Sequence, residues 1–326
     1  MTPRPVNKKS EAKPPRARGP AMTIGSPSRI VGRATQFTVA LMVVVGAALL
    51  GVVNSRAQSA ADRVSSAPRV AVNTPGEMTP SATARRSISD AAARTRLIEF
   101  ARRDPSGLLR LARERCGRET GDFSCCFVKQ ERIDGKLKPV EEIDARYRAD
   151  PLSVYMIWRR GAGQARRALF IDSQAFVDRD GQRLARVEPA GVLLRLFVSD
   201  VMAPIHDARA RKASRRAIDE FGFRSSFELI ERVNDLAAAR NELELRFEGE
   251  GAVDGRATVI LVRRLPYTGP GGRYPNAKLI LHLDQEWLLP TAVFSYADPG
   301  GGELLGSHLY TRVNLNPDFG EDDFRF

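Results

Sequence analysis

Histidine is scarce in this 326-residue chain: there are three, His206, His282 and His308. None falls in a His-Glu-x-x-His or His-x-x-x-His frame, so no histidine-based metal centre is expected. His282 alternates with Leu281 and Leu283 and reads as an ordinary strand imidazole. Cysteine is equally rare, with only Cys116, Cys125 and Cys126. An odd number leaves at least one thiol unpaired, or paired between chains. Neighbours on a strand point to opposite faces, so Cys125 and Cys126 cannot both face Cys116. A Cys116–Cys125 disulfide is one candidate; buried free thiols are the alternative. No further ligand cluster at zinc spacing follows.

Catalytic frames are missing too. A serine nucleophile favours a Gly-x-Ser-x-Gly elbow, and Gly306-Ser307-His308 lacks it. Cys125 and Cys126 sit between Phe123 and Phe127, which suits packing better than nucleophilic attack. Gly161-Ala162-Gly163 lacks the third glycine of a dinucleotide loop. Gly269 to Arg273 has no Lys-Ser/Thr after it, so it is no phosphate cradle. Glu131, Glu141, Glu142 and Asp144 fall on facing strands, as acid–base chemistry in a cleft would need. They alternate with Lys129, Arg132 and Arg146, and cross-strand charge pairing accounts for them. Glu321-Asp322-Asp323 reads as a solvated stretch. The chain is therefore read as non-enzymatic, with no catalytic residue and no cofactor.

What the chain has is positive charge, a formal +12. It is unevenly placed. Met1 to Arg33 holds eight Lys/Arg against Glu11 alone, a balance of +7. Ala34 to Thr95 adds +3, which leaves +2 for Arg96 to Phe326. A nearly balanced domain projects no large field of one sign, so nucleic acid is not an expected partner.

Residues 1–33 are rich in Pro, Lys, Arg and Ser and bury too little to offset chain entropy; they read as a disordered basic cytoplasmic tail. Residues 34–55 carry no charge between Arg33 and Arg56, a run of 22. As a helix that run spans roughly 33 Å, against a bilayer core of about 30 Å. It is expected to be a transmembrane signal-anchor; a cleavable signal peptide is the alternative. The basic flank would stay in the cytoplasm. Residues 56–86, rich in Ala, Ser, Pro and Thr, read as a flexible linker.

The folded domain is expected over 87–326. Leu97, Ile98 and Ala101 mark a helix over about 89–102. Asp104-Pro105 is an N-cap followed by Pro at the first position of a second helix, running to about Arg115. From Asp122 the period becomes two, with Phe123, Cys125 and Phe127 on one face. Asp134-Gly135 is a hairpin signal. The return strand carries Ile143, Ala145 and Tyr147 on one face, and Leu152 to Trp158 is apolar on both. The meander continues through Ala168–Ile171 and Ala175–Val177, then breaks at Asp180-Gly181. A basic stretch, Arg209 to Arg216, precedes a helix over 226–240. Strands return over 242–249, 256–265, 277–284, 291–297 and 303–314. Helix, meander, helix, meander is α+β with an antiparallel sheet. The doubly apolar strand needs cover on its second face, by helices, a ligand or both.

The stretch from Phe123 to Arg159, with its Phe-Val-Lys-Gln-Glu-Arg strand and Pro151-x-Ser153-Val154-Tyr155, resembles an envelope family, the domain of unknown function numbered 1571. The resemblance continues in Arg216 to Gly222, in Leu281-His282-Leu283-Asp284 to Pro290 and in Tyr310 to Asn316. The doubled Cys125-Cys126 and the basic 209–216 stretch depart from it. More distantly, Leu283-Asp284 through Leu289-Pro290 to Tyr296-Ala297-Asp298 is similar to periplasmic lipoprotein carriers of the LolA type. That likeness implies an antiparallel half-open β-barrel with packing helices, holding acyl chains inside. The expectation is thus a single-pass protein of the bacterial inner membrane. Its N-terminus is cytoplasmic, and its periplasmic domain binds a lipid, lipoprotein or other amphipathic ligand. Phe127, Tyr147, Tyr155, Trp158 and Phe170 are the candidate ligand-cavity residues. A sensor or protein-interaction module is the alternative, and a hydrolase of envelope polymers a third reading.

Overall fold

A computed structural model of the chain describes residues 82–191 and 199–326. The expected tail, anchor and most of the linker lie outside the described residues, as does most of the apolar run from Val192. Among the described residues no helix is long and apolar enough to cross a membrane.

Helix α1 (Ala82–Arg103) leads into α2 (Pro105–Glu119). Asp104 caps α2 as the sequence predicts, its Oδ1 accepting from the Gly107 amide at 2.7 Å, with Pro105 at the first position. The helix outlasts its predicted end at Arg115, runs through Gly117 and is capped by Thr120, whose amide donates to Cys116 O.

The period-two segments become strands β1 (Phe123–Ile133), β2 (Lys136–Leu137), β3 (Glu141–Ala149), β4 (Leu152–Arg160) and β5 (Ala165–Ile171). Asp134 and Gly135 both take positive φ, 50° and 73°, as the tight hairpin between β1 and β2 requires. A strand at Ala175–Val177 is not formed; a 3-10 turn, Gln174–Phe176, stands there. The meander does not break at Asp180-Gly181 either. It continues into β6 (Leu184–Pro189) and β7 (Val201–Pro204); Arg186 and Glu188 hide the first, and the four residues of the second are too few to show a period. The basic stretch forms a short helix, α3 (Ala208–Ala213). Helix α4 (Phe223–Ala238) follows, then β8 (Glu244–Val253), β9 (Arg256–Arg264), β10 (Lys278–Asp284), β11 (Pro290–Tyr296) and β12 (Leu304–Leu315).

All twelve strands share one antiparallel sheet, ordered β7-β6-β5-β4-β3-β1-β12-β11-β10-β9-β8, with β2 beside β1. The two meanders meet where β1 pairs with β12, Phe123 opposite Leu315 and Phe127 opposite Tyr310. The sheet is open, with β7 and β8 at its two ends.

One face is covered by α1, α2 and α4. Ala101, Leu108, Ala112, Phe223, Phe227 and Ile230 pack there against Phe123, Ile143, Val154, Val259, Leu261 and Leu281. Burying each large apolar side chain contributes about 2 kcal/mol. The second apolar face of β4 is covered by the chain itself rather than by a ligand. Segment 317–326 folds over it, placing Phe319, Phe324 and Phe326 against Tyr155, Ile157, Leu169 and Ile171. Arg148 lies over the Phe324 ring, and Arg167 and Arg186 over that of Phe326, at 4.5, 4.7 and 5.0 Å from the centroids. Glu321 and Asp322 are exposed as expected, but Phe324 beside them is buried.

Candidate functional site

A cavity of about 550 Å³ lies between α4, with the chain leading into it, and strands β9 to β12. The register of the sheet explains its floor. Leu279 faces Ser295, Val293 faces His308, and Ser295 faces Gly306 across paired strands, so their side chains share the helix-covered face. Leu279, Val293, His308 and Tyr310 line the floor, and Phe221, Leu229 and Ile230 line the roof. Arg215, Arg224, Glu228 and Arg232 add charge at the exposed rim.

The roof depends on Gly222, the N-cap of α4. Its φ of +116° lies outside the range of ordinary residues, and a Cβ there would sit 3.0 Å from Cε2 of Tyr147. Gly222→Ala is expected to lower the domain's stability by about 2 kcal/mol, read from its denaturation midpoint.

The sequence-predicted cavity residues are dispersed by the strand faces. Only Tyr147 lines the cavity. Phe127 is in the main core, with its ring 5.1 Å from those of Phe221 and Tyr310. Trp158 packs against that core and donates its Nε1–H to Glu141. Phe170 belongs to a small cluster with Ala185 and Ile205. Tyr155 lies on the other face, under segment 317–326. Four of these five rings thus pack against other elements of the fold, and Tyr147 alone among them borders the cavity.

The candidate Cys116–Cys125 disulfide is not formed: all three cysteines are buried free thiols. Cys116 and Cys125 share the main core. Burial pushes the Cys116 thiol up to about 11 and the Cys125 thiol higher still, which disfavours the reactive thiolate in the folded chain.

A polar cluster borders the cavity at His308. Glu131 continues the core-facing row Phe123, Cys125, Phe127, Lys129, yet it is only 3% exposed. Its carboxylate accepts from Lys129 Nζ at 3.2 Å, Ser214 Oγ at 3.0 Å and the Arg215 amide at 3.2 Å. Nε2 of His308 lies 2.9 Å from its other oxygen. Burial alone would raise this carboxyl. The His308 hydrogen bond, the Lys129 charge and the Arg215 amide outweigh it and hold the carboxyl well below the usual range. Ser214 Oγ is 3.2 Å from Lys129 Nζ, the spacing of a serine–lysine pair. Lys129 also contacts Glu131 and, at 3.7 Å, Glu141, so it acts as counter-ion to two carboxylates. The remaining acids of the facing strands are also charge-paired, but with other arginines than those expected: Glu142 with Arg160, and Asp144 with Arg159 and Arg312, while Arg132 pairs with Glu303 and Arg146 with Asp323. His282 is half-buried beside Thr258, 3.1 Å from its Oγ1, and burial lowers its pKa. Among the described residues no group of three or more His, Cys, Asp or Glu is placed to hold a metal ion.

A buried arginine escaped the sequence reading. Arg263 follows Val259 and Leu261 on the core-facing row of β9 and is 2% exposed. The Arg263-Arg264 pair looks like a strand running out into solvent, so only the alternation from Val259 could have flagged it.

The sequence profile of the family described as "Protein of unknown function (DUF1571)" matches residues 120–326. The chain belongs to that family. The match takes in every strand and the whole cavity of this DUF1571 protein. No curated protein matches it. Among solved structures it is similar to MucB, at 21% identity and a TM-score of 0.38, over 66% of this chain and 61% of that one. It is also similar to the lipoprotein LppX of Mycobacterium tuberculosis, at 13% identity and a TM-score of 0.34, over 66% and 98% of the two chains. A LolA superfamily protein of Nitrosomonas europaea matches at 10% identity and a TM-score of 0.27, over 68% and 96%. The DUF1571 chain thus spans under two thirds of the length of MucB.

Proposed function

We propose that this protein is a non-catalytic receptor or carrier of the bacterial envelope that holds an amphipathic ligand, a lipid or lipoprotein acyl group, between α4 and strands β9 to β12. The observation that carries this reading is the cavity itself. Its volume of about 550 Å³ suits a small-molecule or acyl ligand. Its floor and roof offer Leu279, Val293, Phe221 and Ile230 to an apolar chain, while its rim offers charge to a polar head. An open sheet with helices along one face, in the manner of a half-barrel, leaves such a space where α4 stands off from the strands. Residues 34–55 would tether the domain to the inner membrane, with the basic tail in the cytoplasm and the domain in the periplasm.

The test is to purify the full chain and extract it for lipid mass spectrometry, then titrate it with a fluorescent acyl probe. Co-purifying lipid that the probe displaces is expected. A chain that carries no lipid beyond the detergent blank and leaves the probe unprotected would overturn the reading.

A further inference from the structure

We propose that the cavity selects amphiphiles with an anionic head, carboxylate or phosphate, and that Arg263 is the counter-ion waiting for that head. The proposal rests on the amphiphile reading above and adds the chemistry of the head.

Arg263 lines the cavity and is almost wholly buried. Every acceptor it has is neutral: Nη1 donates to Asn234 Oδ1 at 2.9 Å and Ile230 O at 3.3 Å, and Nη2 to Asn276 Oδ1 at 3.3 Å. Its Nε has no partner. Among the described residues no carboxylate lies within ion-pair distance of it. Burial lowers its pKa to about 10, which still leaves it charged at neutral pH. A buried charge without a counter-ion is costly, and buried cations are ordinarily paired. Here the shell supplies three neutral acceptors and no negative charge, it leaves Nε unsatisfied, and the residue lines the cavity.

The surroundings reinforce the sign. Arg215, Arg224 and Arg232 also line the cavity, and among the described residues none has a carboxylate within ion-pair distance. Of the lining acids, Asp219 is held by Arg183 at 2.6 Å and lies 3.0 Å from His206, and Glu220 is 4.0 Å from Arg216. Only Glu228, exposed at the rim, opposes the excess of arginine. The N-terminus of the 16-residue α4 opens on the same space, and its cap Gly222 has no side chain to satisfy the first-turn amides.

The test uses the full chain and three photoactivatable probes with one mid-chain diazirine and one chain length, ending in a carboxylate, a phosphate monoester or an alcohol. Adducts are mapped by peptide mass spectrometry. The expected result is about tenfold more adduct on cavity peptides with the two anionic probes than with the alcohol. Arg263→Lys should keep that preference and Arg263→Met should lose it while labelling with the alcohol persists. Should the Met variant fail to fold, as judged by circular dichroism, Arg263→Gln replaces it, since glutamine can still bond Asn234 and Asn276. Equal labelling by all three probes overturns anion selection and leaves the amphiphile reading standing. No cavity adduct with any probe overturns the amphiphile reading itself. Loss of the preference in millimolar inorganic phosphate would show a site for a free anion, and that overturns the head-group assignment.

Discussion

Glu131→Gln is expected to lower the stability of the domain by about 3 kcal/mol, because it removes the anion from a buried, hydrogen-bonded charge cluster. Lys129 would keep only Glu141, at 3.7 Å, as a counter-charge. The glutamine amide would present a donor where the native group only accepts. The effect has a pH signature. In the folded chain the Glu131 carboxyl titrates below its unfolded value, so the native state favours the ionised form. Its contribution is fully present above the unfolded value of about 4.3 and is lost as pH falls from there toward the folded value. The gap between the native chain and Glu131→Gln should therefore be constant near neutral pH and shrink below about pH 4.3. Urea midpoints across that range measure it. A gap that does not narrow in acid would mean that Glu131 stabilises by packing and hydrogen bonding alone. The same variant bears on the hydrolase reading: a loss of lipid occupancy no larger than the loss of fold is expected.

Gly306→Leu is expected to empty the cavity without unfolding the sheet. Gly306 lies near the start of β12, opposite Ser295 and Glu131. A Cβ there would meet nothing nearer than Ser295 Oγ, at 3.4 Å, an ordinary contact. Beyond it lies the cavity, with Nη1 of the exposed Arg215 at 4.0 Å. A leucine side chain would occupy the space assigned to the ligand. Bound lipid should fall by about tenfold or more, with a denaturation midpoint within about 1 kcal/mol of native. Gly306→Ala, which adds only the Cβ, should bind as the native chain does. Undiminished lipid in the leucine variant would place the ligand elsewhere.

Much of the fold was legible from local chemistry. Asp104-Pro105 and Asp134-Gly135 are set by backbone preference, and both behave as expected. Alternation placed Phe123, Cys125, Phe127, Ile143, Ala145 and Tyr147 on the core face correctly. Strand β6 was not legible because Arg186 and Glu188 interrupt its apolar residues, and β7 because its four residues are too few to show a period. The site was harder still. Phe127, Tyr155 and Phe170 are strand aromatics of the same kind, and their separate clusters are decided by which distant element covers each face. Lys129 and Glu131 read as members of cross-strand charge pairs and Arg263 escaped notice, whereas each continues an apolar row into the core. Their partners, Ser214, His308, Asn234 and Asn276, are remote in sequence.

The pairing of β1 with β12 has a kinetic side. Phe123 meets Leu315 only after nearly all of the domain between them exists, so the middle of the sheet joins its earliest strand to its latest. Closing so long a loop is entropically slow, and such non-local pairings form late. Until then β1 presents an unpaired edge beside β3, a hazard for aggregation during folding. A chain interrupted before Leu304 would therefore leave two half-sheets with no common strand, rather than a shortened version of the same domain.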